Sequence, residues 1–390
     1  MKTLSIILDE RIHSTNILAE CTFEQYLGFA RKIINNNEFQ RKRVKTSKTV
    51  YALLKDDLKR GCIIPPIVLA VSNADLKLKD EELYRYICGH VDDVMILDGL
   101  QRTNTLIDAS DELAGSKDYD RFKEYKVRLE IYTEINKFGI LYRMLTLNTG
   151  QTPMSLRHQL EMLYSDMLGT DYEGIKLVKD TEGKADASEN EFIFANVIDG
   201  FNSYLNRNEL PIDREELLNN IKTMEKMSED SGKSDVFPEY IESYVSLFNT
   251  LRKITEEYEV TAEDLAAHSI SGNPFGRKVS KAFSSSQALT GFGAAVGRLK
   301  DTGRLKGFDG VRMVAVELGQ KYDESPDSDW FLELLEKLEI IKNTSKKIGN
   351  AQRMLFQYFF RELMNSESDS YLDLYAAVEN AYDKYLSQVT

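Results

Sequence analysis

One short stretch carries the residue types best suited to chemistry in this 390-residue chain: Asp98, Gly99, Gln101 and Arg102 directly follow an apolar run. The run Val94–Leu97 predicts a strand, Gly99 permits a tight turn, and the next residues open a helix. Free amide groups at a helix start and the forked guanidinium of Arg102 favour an anion such as phosphate. Asp98 could hold Mg²⁺, orient a water molecule or pair with Arg102.

The same pattern also fits an ordinary strand-to-helix turn. In that interpretation Asp98 caps the helix and Arg102 forms a surface ion pair. Residue spacing alone leaves both interpretations open.

The elements that must position this turn change character near residue 150. Before it, the patterns predict three short strands and three helices. The strands are Ile63–Val71, Val94–Leu97 and Tyr125–Tyr132, and the helices are Thr49–Arg60, Gln101–Leu113 and Ile135–Leu147. After it almost everything indicates helix: Phe192–Leu205, Tyr240–Tyr258, Trp330–Ile341, Met354–Met364 and Tyr371–Leu386.

We therefore predict an α+β fold class with two domains. Residues 1–150 form a unit with a small mixed sheet, and residues 151–390 form a largely α-helical region. Polar and small residues predict hinges at Gly183–Asn190, Ser228–Ser234 and Ser269–Gly276, and the second or third could subdivide the helical region. Thr261 followed by Asp264 indicates a capped helix start.

Composition excludes several classes of protein. Apolar residues make up 42% of the chain and charged residues 29%, so a globular core is expected and wholesale disorder is not. Three scattered cysteines suit a reducing compartment and neither a zinc knuckle nor a disulfide framework. The start fails as a signal peptide, and the longest apolar run, Cys62–Val71, is too short to span a bilayer. We expect a cytoplasmic protein without a membrane segment.

The net charge of −13 argues against a surface that is basic throughout, so any polyanion site must be local. Residues 1–60 carry a surplus of +5. Two basic clusters are candidates for a nucleic-acid surface, with a solvated face as the alternative for each. The first comprises Arg41, Lys42, Arg43, Lys45 and Lys48, and the second Arg277, Lys278, Lys281, Arg298, Lys300, Arg304 and Lys306.

Other motifs indicate structure more than chemistry. No glycine-rich P-loop is present, and Gly291, Gly293 and Gly297 follow a polar segment, which favours close helix packing over a dinucleotide site. The four histidines lack metal-site spacing, and we predict no metal site formed by protein residues alone. Trp330 lies among apolar residues and is expected in the core.

The Asp-Gly-Leu-Gln-Arg segment at 98–102 resembles the D-G-Q-x-R signature of the ParB/sulfiredoxin-like superfamily, in particular its DGQHR-domain branch with the DndB-type regulators. It is also similar to the DGQQR domains of GmrSD- and SspE-type phage-defence proteins. Phe39–Arg41, Leu58–Leu69 and Leu147–Ser155 resemble further family segments in the expected order. Together these matches cover about residues 38–160.

The resemblance implies a ParB-like N-terminal domain that contacts nucleotide phosphates. Leu100 and Gln101 depart from the family, which has Gln and His there. The implied catalytic residues are Asp98, Gln101 and Arg102. The implied nucleotide- or phosphate-binding residues are Gln40, Arg41, Lys59, Arg60, Gly61, Gly99, Arg102, Thr103, Asn104, Asn148 and Gln151.

Three functions are compatible with these residues and with the resemblance. The first is an enzyme that hydrolyses a nucleoside triphosphate (ATP, GTP or CTP) with Mg²⁺, within a DNA-modification or anti-phage defence system. The second is a DndB-like DNA-binding regulator or specificity factor without turnover. The third is a non-enzymatic scaffold of a defence complex. The expected partners are a nucleotide, DNA and proteins of the same system, and an oligomer is expected.

Overall fold

The computed structural model describes residues 1–36, 48–72, 78–147, 164, 168, 172, 174–179, 185–212, 216, 219, 236–272 and 274–389. The chain divides into two compact units, Met1–Ser155 and Leu156–Thr390, five residues from the predicted boundary. Over the described residues, no helix has the length and apolar character needed to cross a membrane.

The first unit is built on a five-stranded mixed sheet, which confirms the predicted α+β class and mixed connections. Its strands are β1 (Lys2–Asp9), β2 (Ser14–Thr22), β3 (Ile67–Val71), β4 (Val94–Asp98) and β5 (Lys126–Thr133), in the order β1-β2-β5-β3-β4. Only β3 and β5 pair in parallel; the other neighbours are antiparallel. All five residues of β3 are buried, as expected for an apolar strand covered on both faces.

Two details of this sheet differ from the sequence prediction. The hairpin of β1 and β2 was not predicted, although Ile17, Ala19 and Cys21 occupy alternate positions along β2 and are buried. Strand β3 begins four residues after the predicted Ile63. The two prolines before it lack the N–H that a ladder needs, so pairing starts only after them.

Six helices complete the described part of this unit. They are α1 (Phe23–Asn36), α2 (Lys48–Lys59), α3 (Asp80–Gly89), α4 (Leu100–Leu113), α5 (Tyr119–Glu124) and α6 (Lys137–Leu147). Buried residues of the sheet, α1, α3 and α4 form one core, in which Tyr26 and Phe29 of α1 are fully buried. The core therefore fixes α4, and with it the Asp98 turn, against the sheet.

The second unit is largely helical, as predicted. It contains two short parallel strands, β6 (Lys176–Val178) and β7 (Glu191–Ile193). Its described helices are α7 (Phe194–Asn206), α8 (Val236–Ile254), α9 (Ala262–Ala267), α10 (Val279–Phe283), α11 (Ser286–Asp301), α12 (Gly307–Lys321), α13 (Asp329–Thr344), α14 (Ile348–Met364) and α15 (Leu374–Val389). The helix predicted from Phe192 begins two residues later, because β7 ends at Ile193.

The glycines of α11 serve close helix packing, which confirms that interpretation. A Cβ on Gly293 would clash with the carbonyl oxygen of Gly200 in α7, and one on Gly297 would lie 2.8 Å from the carbonyl oxygen of Tyr204. A Cβ on Gly291 would lie 2.7 Å from the backbone nitrogen of Gln357 in α14. Such spacing lets the three helix backbones approach directly. Trp330 is fully buried, as expected.

Candidate functional site

The predicted strand, glycine turn and helix are present around Asp98. Strand β4 ends at Asp98, α4 begins at Leu100, and Gly99 between them has φ 97°. A Cβ at this position would also lie 3.1 Å from the Ile67 side chain. Glycine is required here both by the left-handed backbone and by the close approach of β3.

The Arg102 side chain turns inward from this turn. Arg102 is 8% exposed, and its Nη2 donates to Asp98 Oδ2 at 2.6 Å. Its Nη1 donates to the carbonyl oxygens of Pro65 at 2.6 Å and Pro66 at 3.0 Å. The guanidinium thus joins the end of β4, the start of α4 and the chain that enters β3. This resembles the ion-pair alternative, except that the pair is largely buried and the helix cap is Gly99 rather than Asp98.

This pairing limits what the two residues can do in catalysis. A phosphate-gripping arginine needs N–H donors that face the ligand, and a general base needs a carboxylate free to take a proton. The two side chains instead neutralise each other. The geometry therefore supports a positioning role, in which Arg102 holds the turn in place.

The start of α4 is where the turn retains anion-binding character. Among the described residues, no side chain caps this helix, and the buried Gln101 Nε2 atom has no hydrogen-bond partner. Asn104 is half-buried one turn further along. Thr103, in contrast, is fully buried, donates to the Gly99 carbonyl oxygen at 3.0 Å and meets the Tyr26 hydroxyl at 2.6 Å. Gln101 is therefore better placed than Thr103 to meet a ligand.

A Mg²⁺ ion at this turn would need ligands from outside the protein. Within the described ranges, no three His, Cys, Asp or Glu side chains lie together as a metal-binding group. Mg²⁺ is commonly held by one or two carboxylates together with substrate phosphates and water. Asp98 fits such a site only as a single protein ligand that already pairs with Arg102.

Lys59 and Gly61, two of the predicted phosphate-binding residues, make contacts within the N-terminal unit that explain their residue types without a ligand. Lys59 Nζ lies 2.5 Å from Glu112 Oε2, and this hydrogen bond raises the pKa of Lys59. Glu112 is near the far end of α4, about 16 Å along the axis from Gln101 at 1.5 Å per residue. A Cβ on Gly61, which has φ 88°, would lie 2.9 Å from the Tyr125 ring. The fold therefore separates Lys59 from the Asp98 turn.

Several predicted residues cannot be placed. Those outside the described residues are Gln40, Arg41, Lys42, Arg43, Lys45, Asn148 and Gln151. Lys48 begins α2, but its side chain is not among the described ones. The predicted binding residue Arg60 is exposed after α2.

The second basic cluster is partly neutralised by carboxylates. Arg298 Nη2 lies 2.9 Å from Glu209 Oε2, Arg304 Nε lies 2.8 Å from Glu367 Oε2, and Lys278 Nζ lies 3.4 Å from Glu259 Oε2. Lys300 Nζ donates to the Tyr204 hydroxyl at 3.1 Å. The remaining members are Arg277, Lys281 and Lys306. Ion pairing therefore leaves less net positive charge than the linear sequence indicates.

Sequence reasoning missed the acceptors of Arg102, although both prolines belong to a segment that resembles the family. Two consecutive prolines before a strand leave carbonyl oxygens outside the strand ladder, and this signal could have indicated a buried donor. Compared with family models, with curated proteins and with solved structures, the chain has no significant match.

Proposed function

We propose that the N-terminal unit binds the phosphates of a nucleoside triphosphate without hydrolysing it, and that the protein is a ParB-like sensor or regulator of a DNA-modification or anti-phage system. The observation that carries the non-hydrolytic part is the closed contact between Asp98 and Arg102. Asp98 and Arg102, two of the three candidate catalytic residues, are engaged with each other, and Arg102 also donates to two backbone carbonyl oxygens. The system itself is proposed on the Asp-Gly-Leu-Gln-Arg resemblance.

The binding step is assigned to the start of α4. First-turn N–H groups point along the helix axis and favour negative charge. The Gln101 Nε2 atom supplies a second, independent feature. It is buried and has no partner in the described part of the chain, so it gains a hydrogen bond when a phosphate oxygen reaches it. Arg102 acts as a positioning residue that holds Gly99 and the first turn against β3.

Isothermal titration calorimetry with ATP, GTP and CTP, each with Mg²⁺, tests binding, and a phosphate-release assay on the same samples tests turnover. We expect saturable binding without phosphate release. Replacing Gln101 by Leu should weaken binding about tenfold, the loss of one hydrogen bond to a charged group. Gln320→Leu, the same change at an exposed position of α12, should leave affinity unchanged.

Phosphate release that disappears in Asp98→Asn would refute the non-hydrolytic proposal and support the triphosphatase. If no nucleotide binds while duplex DNA binds with a steep salt dependence, the ligand is the DNA backbone and the nucleotide proposal is wrong. Equal affinities of Gln101→Leu and the unmodified protein would overturn the assignment to the start of α4.

A further inference from the structure

The helical unit contains a cavity with both polar and apolar lining groups that no predicted motif includes. Its volume is about 200 Å³, and by the same measure one water molecule needs only about 10–15 Å³. Helix α7 contributes Asp199 and Asn202, α11 contributes Thr290 and α14 contributes Arg353. The cavity therefore has room for a multi-atom ligand among groups that three packed helices hold in place.

Arg353 supplies the positive charge among the described lining residues. Its Nη2 donates to Ser286 Oγ at 3.0 Å, but its Nε is buried and has no hydrogen-bond partner among the described residues. Burial lowers the pKa of Arg353, although the negative charge of Asp199 opposes that shift. Arg353 itself is half-buried, but a buried Nε–H donor that is unused is unfavourable in the free protein and gains from a carboxylate that reaches it.

Negative charge faces the same cavity. Ser286 Oγ donates to Asp199 Oδ2 at 3.0 Å, so this hydroxyl bridges Asp199 and Arg353. Glu216 also lines the cavity and adds a second carboxylate. A phosphate group, with two negative charges, would meet both carboxylates as well as Arg353, the one arginine among the described lining residues. A ligand with one negative and one positive group meets charges of both signs favourably.

The rest of the lining limits the ligand further. The amide side chains of Asn202 and Asn206 offer neutral hydrogen bonds, and Leu210 and Pro211 supply an apolar wall. A small molecule with polar ends and an aliphatic portion matches these surfaces.

We infer that this cavity binds a small zwitterion of the α-amino-acid class, with its carboxylate on Arg353 and its ammonium group toward Asp199 and Glu216. This site lies within the helical unit and is independent of the phosphate site proposed at α4.

The test is a thermal-shift screen of the full-length protein with each standard L-amino acid at about 10 mM, where a weakly bound ligand still stabilises the folded state. Trp330, the sole tryptophan, lies in the helical unit and reports its unfolding. Titration calorimetry then measures the affinity of each hit. For each hit, the matching 2-hydroxy acid lacks the ammonium group and the matching amine lacks the carboxylate.

We expect at least one amino acid to bind. Each of its two analogues should bind at least about tenfold more weakly, because each lacks one charge-assisted contact. Arg353→Gln should lower the affinity for the amino acid by a similar factor, and Arg361→Gln, a change on the same helix outside the cavity lining, should not. If Arg353→Gln unfolds, Asn206→Trp at the end of α7 fills the cavity while keeping its charges and should also block binding.

Three outcomes would overturn the inference. They are no binding by any amino acid, equal binding of an amino acid and its 2-hydroxy analogue, or unchanged affinity in both cavity variants. Binding of inorganic phosphate that depends on Arg353, in place of amino-acid binding, would assign the cavity to a simple anion.

Discussion

Replacing Arg102 by Ala is expected to destabilise the N-terminal unit. The change removes the donors that satisfy two proline carbonyl oxygens and leaves Asp98, whose side chain is 17% exposed, without its cation. Breaking a buried ion pair by removing one partner costs about 3–5 kcal/mol. Since water can reach part of Asp98, we take the lower end, about 3 kcal/mol.

Hydrogen exchange followed by mass spectrometry measures this loss in the intact protein. A loss of about 3 kcal/mol corresponds to about 150-fold faster exchange of the most protected amides in β3 and α4. Trp330 fluorescence gives a separate measure of the Leu156–Thr390 unit in the same samples. Arg102→Lys should lose less stability than Arg102→Ala but remain less stable than the unmodified protein, because one ammonium group cannot reproduce the guanidinium fork that contacts three acceptors.

The matched control is Arg31→Ala. Arg31 pairs with Asp111 on the same helix α4, but both side chains are exposed, at 41% and 60%. Such a surface pair contributes less than about 1 kcal/mol. If Arg102→Ala costs no more than Arg31→Ala, the guanidinium does not hold the turn and the positioning argument fails. If Arg102→Ala abolishes nucleotide binding without lowering stability, Arg102 contacts the ligand directly and does not only position the turn.

Three further outcomes follow from packing, charge and exposure. Gly293→Ala should destabilise the helical unit by about 3 kcal/mol, because the new Cβ would meet the backbone of α7. Gly319→Ala in α12 has room for the Cβ and should stabilise the unit by up to about 1 kcal/mol. Chemical denaturation followed by Trp330 fluorescence compares the two variants. A tyrosine hydroxyl and the threonine cap lower the pKa of Asp264 from 3.8 to about 2, so its stabilising effect is present above about pH 4 and is lost toward pH 2. The melting temperature of Asp264→Asn should therefore depend less on pH over that interval, and an unchanged acid limb would contradict this. Thiol reagents at mildly alkaline pH should modify the exposed Cys62 quickly. Burial raises the pKa of Cys21 to about 12, so this thiol should stay unreactive until the protein unfolds. Equal modification rates of the two cysteines would argue against the burial of β2.

Local patterns predicted the elements better than the contacts between them. The helices around Leu100–Leu113 and Asp329–Thr344 follow from apolar spacing, and the turn at Gly99 follows from a residue that tolerates positive φ. The capping box at Thr261 and Asp264 was also predicted, because both partners lie within one turn. The β1–β2 hairpin was missed, since β1 is an edge strand whose apolar side chains are largely exposed and do not alternate.

The sequence by itself determined the α+β class, the helical second unit and the close approach of α11 to its neighbours, because backbone preference, amphipathic spacing and the absence of a side chain act over a few residues. The pairing of Asp98 with Arg102 was one of the sequence alternatives, but only the tertiary structure decided the more distant partners of the candidate site. Arg102 meets carbonyl oxygens more than thirty-five positions earlier in the chain, and Lys59 meets the far end of α4. Which donor reaches which acceptor depends on how distant segments pack, and no local pattern encodes it.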